Sequence, residues 1–201
     1  MARFIVFEGG DGSGKSTQAR SLSQRLRRRS IPVLLTREPG GTPAGESIRR
    51  LLKGQLNFQP MSELLLFEAA RSQLVESVIR PGLDSGTTVI CDRYTASTVA
   101  YQGYGRGLDL TLIRQLNQTA TGGLIPDLTV LLDLSPQVGL SRRGAAGSDP
   151  FESAPQEFQR KVREGYLAQA GEDPERWLVL DGSRPQRELG REIWTKVQPL
   201  L

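Results

Sequence analysis

The clearest capacity for chemistry in this 201-residue chain lies in "GGDGSGKST" at positions 9–17, directly after the apolar run "FIVFE". It fits the pattern G-x-x-x-x-G-K-[ST], set between one expected strand and one expected helix. Small residues at Gly9, Gly10, Gly12, Ser13 and Gly14 let backbone N–H groups turn inward around anionic oxygens. A helix opening at Lys15 aims its positive end at the same point. Lys15 adds a mobile cation, the Ser16 hydroxyl is placed to ligate Mg²⁺, and Thr17 adds a further phosphate hydrogen bond. The loop implies a nucleoside triphosphate with magnesium. It does not say what chemistry follows.

Three other stretches bear on that question: "TREPGGT" (36–42), "FEAARSQ" (67–73) and "CDRYTASTVAYQG" (91–103). Each brings an arginine together with a residue able to meet a base or a sugar. A guanine-reading N-K-x-D is absent, since Asn57 and Asn117 are the only asparagines and neither precedes lysine. No recognisable element senses a γ-phosphate and relays it, as a motor or switch requires. A kinase must instead hold a second anion beside the first, and clustered arginines suit that task.

Short β-branched runs alternating with amphipathic stretches must position these groups, which predicts an α/β fold with a mostly parallel sheet. Strands are expected at 3–8, 32–37, 87–92, 127–134 and 177–182. Helices are expected at 15–29, 44–53, 61–80, 109–119, 136–143, 155–170 and 185–198. The result is a three-layer, five-stranded sheet flanked by helices. In such a sheet ligands sit at the carboxyl ends of the strands, so the stretches after the second and third strands can converge with the phosphate loop. Pro81-Gly82 is expected to end the long third helix. Segments 101–109 and 142–155, rich in glycine and charge, read as loops that close over a substrate.

Composition narrows the field further. A chain of this length with 37% hydrophobic residues is expected to form one domain, 1–201. No run approaches the roughly 18 apolar residues of a membrane span, and the N-terminus does not read as a signal peptide. Cys91 is the only cysteine and histidine is absent, which excludes disulfide frameworks, cysteine metal sites and histidine base catalysis. A reducing cytoplasm is the expected compartment. The net charge is +4, and the run "RLRRRS" (25–30) reads as a solvated helix face rather than a nucleic-acid site, having no interleaved aromatics.

From "FIVFEGGDGSGKST" through "TREPGGT", "AARSQLVESVI", "DRYTASTVAYQG" and "PDLTVLLDLSP", the chain resembles the thymidylate kinase family, P-loop enzymes that phosphorylate dTMP with ATP and Mg²⁺. The resemblance implies that Phe67 stacks on thymine, that Arg71 orients the base, and that Gln102 with Ser97 or Thr98 lines the same pocket. Tyr101 would pack on the deoxyribose and Asp11 would contact the acceptor sugar. Arg37, Arg49 and Arg93 would meet the dTMP phosphate, with Pro39 in the turn beside them. Asp92 would hold Mg²⁺ through water, and Arg143 would stack on adenine.

The sequence also departs from the family pattern. Gly12 follows Asp11, so an arginine of the phosphate loop is missing, and Pro150 stands where a lid arginine is expected. Arg142 is then expected to act on the transferring phosphoryl beside Lys15 and Arg93, with Arg160 and Arg163 as substitutes. The resemblance further implies a homodimer. A deoxynucleoside kinase and a catalytically weak nucleotide-binding protein are the alternative readings.

Overall fold

The computed structural model describes residues 2–54, 56–143 and 155–201. Five parallel strands form one sheet in the order β2-β3-β1-β4-β5: β1 (Phe4–Glu8), β2 (Val33–Arg37), β3 (Thr88–Asp92), β4 (Leu128–Asp133) and β5 (Trp177–Asp181). The near-continuous apolar runs are explained by cover on both faces. Ile5 and Phe7 point to one face, where Ala19, Leu22 and Leu26 of α1 (Lys15–Arg27) meet Leu189, Ile193 and Trp194 of the last long helix. Phe4 and Val6 point to the other, against Leu74, Val75, Ile79 and Tyr94. Because strand side chains alternate, Glu8 falls on that second face.

Strand register brings the chemistry into one row. Arg37 pairs with Asp92, and Asp92 pairs with Phe7, so the chain leaves β2, β3 and β1 abreast at their carboxyl ends. The helices α2 (Pro43–Lys53), α3 (Pro60–Leu74) and α4 (Arg80–Asp84) follow β2; α5 (Thr95–Thr98) and α6 (Leu110–Thr121) follow β3; α7 (Pro136–Arg143) and α8 (Gln156–Glu172) follow β4; α9 (Gln186–Val197) follows β5. Most expected boundaries differ from these by one or two residues, the usual scatter of helix ends.

Two expectations are corrected. Pro81-Gly82 does not end the third helix: a π-helical turn at Val75–Ile79 joins α3 to α4, which runs through Pro81 to Asp84. The wider turn absorbs a proline that has no N–H to give and would crowd the preceding turn of an α-helix. The segment 101–109 is loop only from Arg106 to Asp109. Val99–Gly105 is a second π-helical stretch with Tyr101, Gln102 and Gly103 buried. Its glycines serve close packing, because a Cβ at Gly105 would lie 2.5 Å from the Phe158 ring and one at Gly103 2.4 Å from Leu110. Of the segment 142–155, residues 144–154, Pro150 among them, lie outside the described residues.

The phosphate loop is locked against α7 by two glycines that face each other. A Cβ at Gly12, where φ is +77°, would stand 2.5 Å from the Gly139 carbonyl oxygen, and one at Gly139 would stand 2.6 Å from that of Asp11. Backbone cannot yield as a side chain can, so Gly139→Ala is expected to cost about 1–3 kcal/mol. Urea unfolding would read this as a lowered midpoint; an unchanged midpoint would mean that the loop and α7 separate freely.

Candidate active site

A cleft of about 1040 Å³ opens at the carboxyl ends of β1, β2 and β3. Of the expected residues, it is lined by Asp11, Gly12, Gly14, Lys15, Ser16 and Thr17 from the loop and the start of α1. Facing them are Arg37, Pro39 and Arg49, then Phe67 and Arg71 on α3, then Asp92, Arg93, Ser97, Thr98, Tyr101 and Gln102. Gly9, Gly10 and Ser13 do not line it. Arg142 is not brought to the cleft; its guanidinium donates to the carbonyls of Gly182 (2.7 Å) and Ser183. Arg143 ends α7, and its side chain lies outside the described residues. Arg163 forks onto Asp133, and Arg160 pairs with Glu157 and Glu164 of its own helix.

The loop half is arranged for anions. Gly14, left-handed at φ +94°, precedes the first turn of α1, which carries no acidic residue to compete for its N–H groups. Lys15 is buried and donates to the Gly10 carbonyl at 2.8 Å. Burial and the neighbouring Arg93 lower its pKa to about 8, against the pull of Asp11, Asp92 and Glu8. Ser16 donates to Asp92 across a short contact. These two oxygens suit Mg²⁺, which prefers one or two protein ligands and takes the rest from phosphate and water. Among the described residues no group of three or more His, Cys, Asp or Glu side chains could hold a metal ion.

Arg93 ties the two halves together. Its backbone is left-handed at φ +75°, and its side chain reaches the loop at Gly9 and Asp11. It donates to Gly9 O (3.1 Å), Ser97 Oγ (3.2 Å), Tyr166 Oη (3.0 Å), Asp11 Oδ1 (2.5 Å) and Tyr101 Oη (3.2 Å). The Asp11 contact is an ion pair about four-fifths removed from solvent. Glu8 decides which way the hydroxyls face. Fully buried, it accepts from the Tyr94 and Ser97 backbone N–H, from Ser97 Oγ (2.7 Å) and from Tyr166 Oη (3.1 Å). With their protons given to Glu8, Ser97 and Tyr166 turn lone pairs toward Arg93. Burial raises the Glu8 pKa, opposed by Arg93 and by these hydrogen bonds.

The other half of the cleft is set by a second buried guanidinium. Arg71 donates to Glu38 (2.8 Å), Glu68 (2.8 Å), Asn117 (2.7 Å) and the Tyr94 carbonyl (3.2 Å). Burial pushes Glu38 up to about 7, against the attraction of Arg71. Glu38 Oε1 and Thr98 Oγ1 are buried and make no hydrogen bond among the described residues. Arg37 pairs with Glu46 and Arg49 donates to the Pro39 carbonyl, which props the turn after β2, where the Glu38–Pro39 peptide is cis.

Sequence reasoning passed over Glu8, Glu68, Asn117 and Tyr166. Glu8 did leave a signal, a carboxylate at the end of an otherwise apolar strand. Tyr166 left none, since a tyrosine on an amphipathic helix reads as core.

A sequence model of the family described as Thymidylate kinase matches residues 7–193. The chain is 48% identical to the thymidylate kinase of Dehalococcoides mccartyi, over 100% of this chain and 98% of that protein. It is 50% identical to that of Deinococcus radiodurans, over 96% and 95%. This chain belongs to the thymidylate kinase family. A crystal structure of thymidylate kinase from Ehrlichia chaffeensis superposes with a TM-score of 0.84 at 36% identity, covering 98% of each chain. The family match spans both halves of the cleft, from the phosphate loop to Tyr166.

The lowered pKa of Lys15 has a direct consequence. Its charge is present below about 8 and is lost as pH rises through that value. The kcat/KM for the triphosphate is expected to fall above pH 8, reporting the free protein. The limb in kcat should lie higher, because bound phosphates favour the cation. A kcat/KM profile flat to pH 9.5 would reject this account.

Proposed function

We propose that this chain transfers the γ-phosphoryl group of ATP to dTMP, releasing dTDP and ADP, as a cytoplasmic step of dTTP biosynthesis. The observation that carries the reading is the meeting of the phosphate loop with Arg37, Phe67, Arg71 and Arg93 in one cleft of a member of this family. No helix among the described residues is long and apolar enough to cross a bilayer.

An oxygen of the dTMP phosphate attacks the γ-phosphorus in line, and the bond from that phosphorus to the β,γ-bridging oxygen breaks. The acceptor is already an anion at neutral pH, so no base is needed. Holding two polyanions together is the main task, and positioning with charge neutralisation supplies the rate. Gly9 through Thr17 hold the triphosphate, with Lys15 on its outer oxygens. Magnesium, when bound, neutralises phosphate oxygens, and Ser16 with Asp92 would hold it. Phe67 stacks on thymine; Arg71, Thr98 and Gln102 face its edge; Tyr101 and Asp11 face the sugar. Arg37, Arg49 and Arg93 bring positive charge to the acceptor phosphate.

The family membership also supports a homodimer. Leu51 on α2 and Met61 and Leu65 on α3 are large apolar side chains left exposed, which packing against a second copy would cover.

Two measurements test the reading. ADP release with Mg²⁺ and ATP should reach about 1–100 s⁻¹ with dTMP, the usual range for kinases. It should be much weaker with dCMP, AMP or thymidine, and absent with a chelator. Equal turnover with thymidine would make it a nucleoside kinase, and no dTMP-dependent turnover would reject the proposal. Sedimentation equilibrium should give twice the 22.1 kDa of one chain; a monomer at micromolar concentration would reject the dimer.

A further inference from the structure

The base end of the cleft contains an amide whose orientation is decided by a residue outside the cleft. Gln102 is 1% exposed and lines the cleft, and its Nε2 donates to Glu63 Oε1 at 2.8 Å. A carboxylate only accepts, so the amide can face Glu63 only through its NH₂ group. Its Oε1 makes no hydrogen bond among the described residues, and it is the end left for a ligand. Arg106 holds Glu63 in turn, donating to Oε1 (3.2 Å) and Oε2 (3.0 Å), while its guanidinium lies over the Phe158 ring.

Arg71 supplies the complementary pole. Four of its five guanidinium hydrogens meet Glu38, Glu68, Asn117 and the Tyr94 carbonyl. One Nη2 hydrogen has no acceptor among the described residues. Glu63, Phe67 and Arg71 recur every four residues of α3, so one helix stripe carries the orienting carboxylate, the ring and the donor. The cleft thus presents one acceptor and one donor to an edge.

We propose that Glu63, braced by Arg106, is a positioning residue that sets base selectivity by fixing the Gln102 amide, with its oxygen toward the substrate. The proposal rests on the dTMP kinase reading above. Thymine and uracil offer an N3–H donor beside the O4 acceptor, which complements an amide oxygen beside an Arg71 hydrogen. Cytosine offers a bare N3 acceptor beside an amino donor, which opposes both. A site of this kind rejects the mismatched base because its buried polar groups are left unpaired.

Glu63→Gln tests the idea at nearly constant shape. A glutamine at 63 can accept from Gln102 or donate to it, so the Gln102 amide becomes free to turn over. The KM for dTMP is expected to rise about tenfold, with kcat at saturation within about twofold, the effect of losing one oriented hydrogen bond. The ratio of kcat/KM for dTMP over dCMP should fall about tenfold or more. The ratio for dTMP over dUMP should not move, because both bases present the same edge. Arg106→Met, at a position one-third exposed and so tolerant of change, should shift the dTMP/dCMP ratio in the same direction by a smaller factor. If Glu63 merely supports the fold, Glu63→Gln lowers all three substrates alike and leaves both ratios at wild-type values, and this overturns the proposal. An unfolded Glu63→Gln leaves the decision to Arg106→Met, whose unchanged ratio overturns it equally. Wild-type protein with no dTMP-dependent turnover overturns the function itself and this inference with it. Wild-type turnover with unmoved ratios in the variants overturns only the role of Glu63.

Discussion

Arg93 places a guanidinium beside the phosphate loop, and a cation so largely removed from water is tolerated only where its donors are met. Much of the surrounding structure follows from that demand. The acceptors come from three parts of the chain: Gly9 and Asp11 from the loop, Ser97 and Tyr101 from the helical stretch after β3, and Tyr166 from α8. A left-handed backbone at a residue other than glycine costs about 1–3 kcal/mol, and it persists here because so many contacts determine it. Loop shape and acceptor wall are therefore coupled through one side chain. A shift of α8 would be felt at Asp11, although the two are far apart in sequence.

Arg71 solves the same problem differently. Two carboxylates, Glu38 from the turn after β2 and Glu68 from one turn earlier on the same helix, accept from it, and Asn117 closes the ring from α6. Removing one member of such a buried set typically costs about 3–5 kcal/mol, because the remaining charge is stranded. The cluster can therefore be rigid without adding net stability over an apolar core. Rigidity is what a base-reading pocket requires: a donor that cannot wander discriminates, while one on a loose side chain adapts to either pattern. The π-helical turn at Val75–Ile79 sits just past Arg71 and keeps the helix continuous through Pro81, so α3 reaches the sheet without a break.

The sheet was legible in the sequence because each strand is an unbroken apolar run ended by a charged residue or glycine. The loop was legible because its spacing has few other uses. Val99–Gly105 was misread for a physical reason. Gly103 and Gly105 carry the same letter whether glycine serves a flexible loop or the close approach of Leu110 and Phe158, and only the packing tells these apart. The groups that face the cleft were mostly found, being arginines and aromatics at the ends of strands. Those that hold them in place were mostly missed. Glu63, Glu68 and Asn117 lie on helix faces where a polar residue ordinarily means solvent, and their partners are 39 to 46 residues distant for Gln102 and Arg71 or reached only through a folded helix.

The departure at Gly12 has a steric origin. Its φ of +77° and the 2.5 Å that would separate a Cβ from the Gly139 carbonyl exclude any side chain from that position in this backbone arrangement. An arginine cannot be added to the loop here without moving α7, and α7 is anchored through Arg142 to the carbonyls of Gly182 and Ser183. Two glycines in contact thus trade a local cation for a loop pressed directly on a helix. The positive charge that faces the phosphates must then come from groups rooted elsewhere: Lys15 in the first turn of α1, and Arg93 at the end of β3. Both are largely removed from solvent and held by backbone carbonyls before any substrate arrives. Cations fixed in place ahead of the reaction need little reorganisation as charge shifts between donor and acceptor, which is the condition under which electrostatic stabilisation is largest.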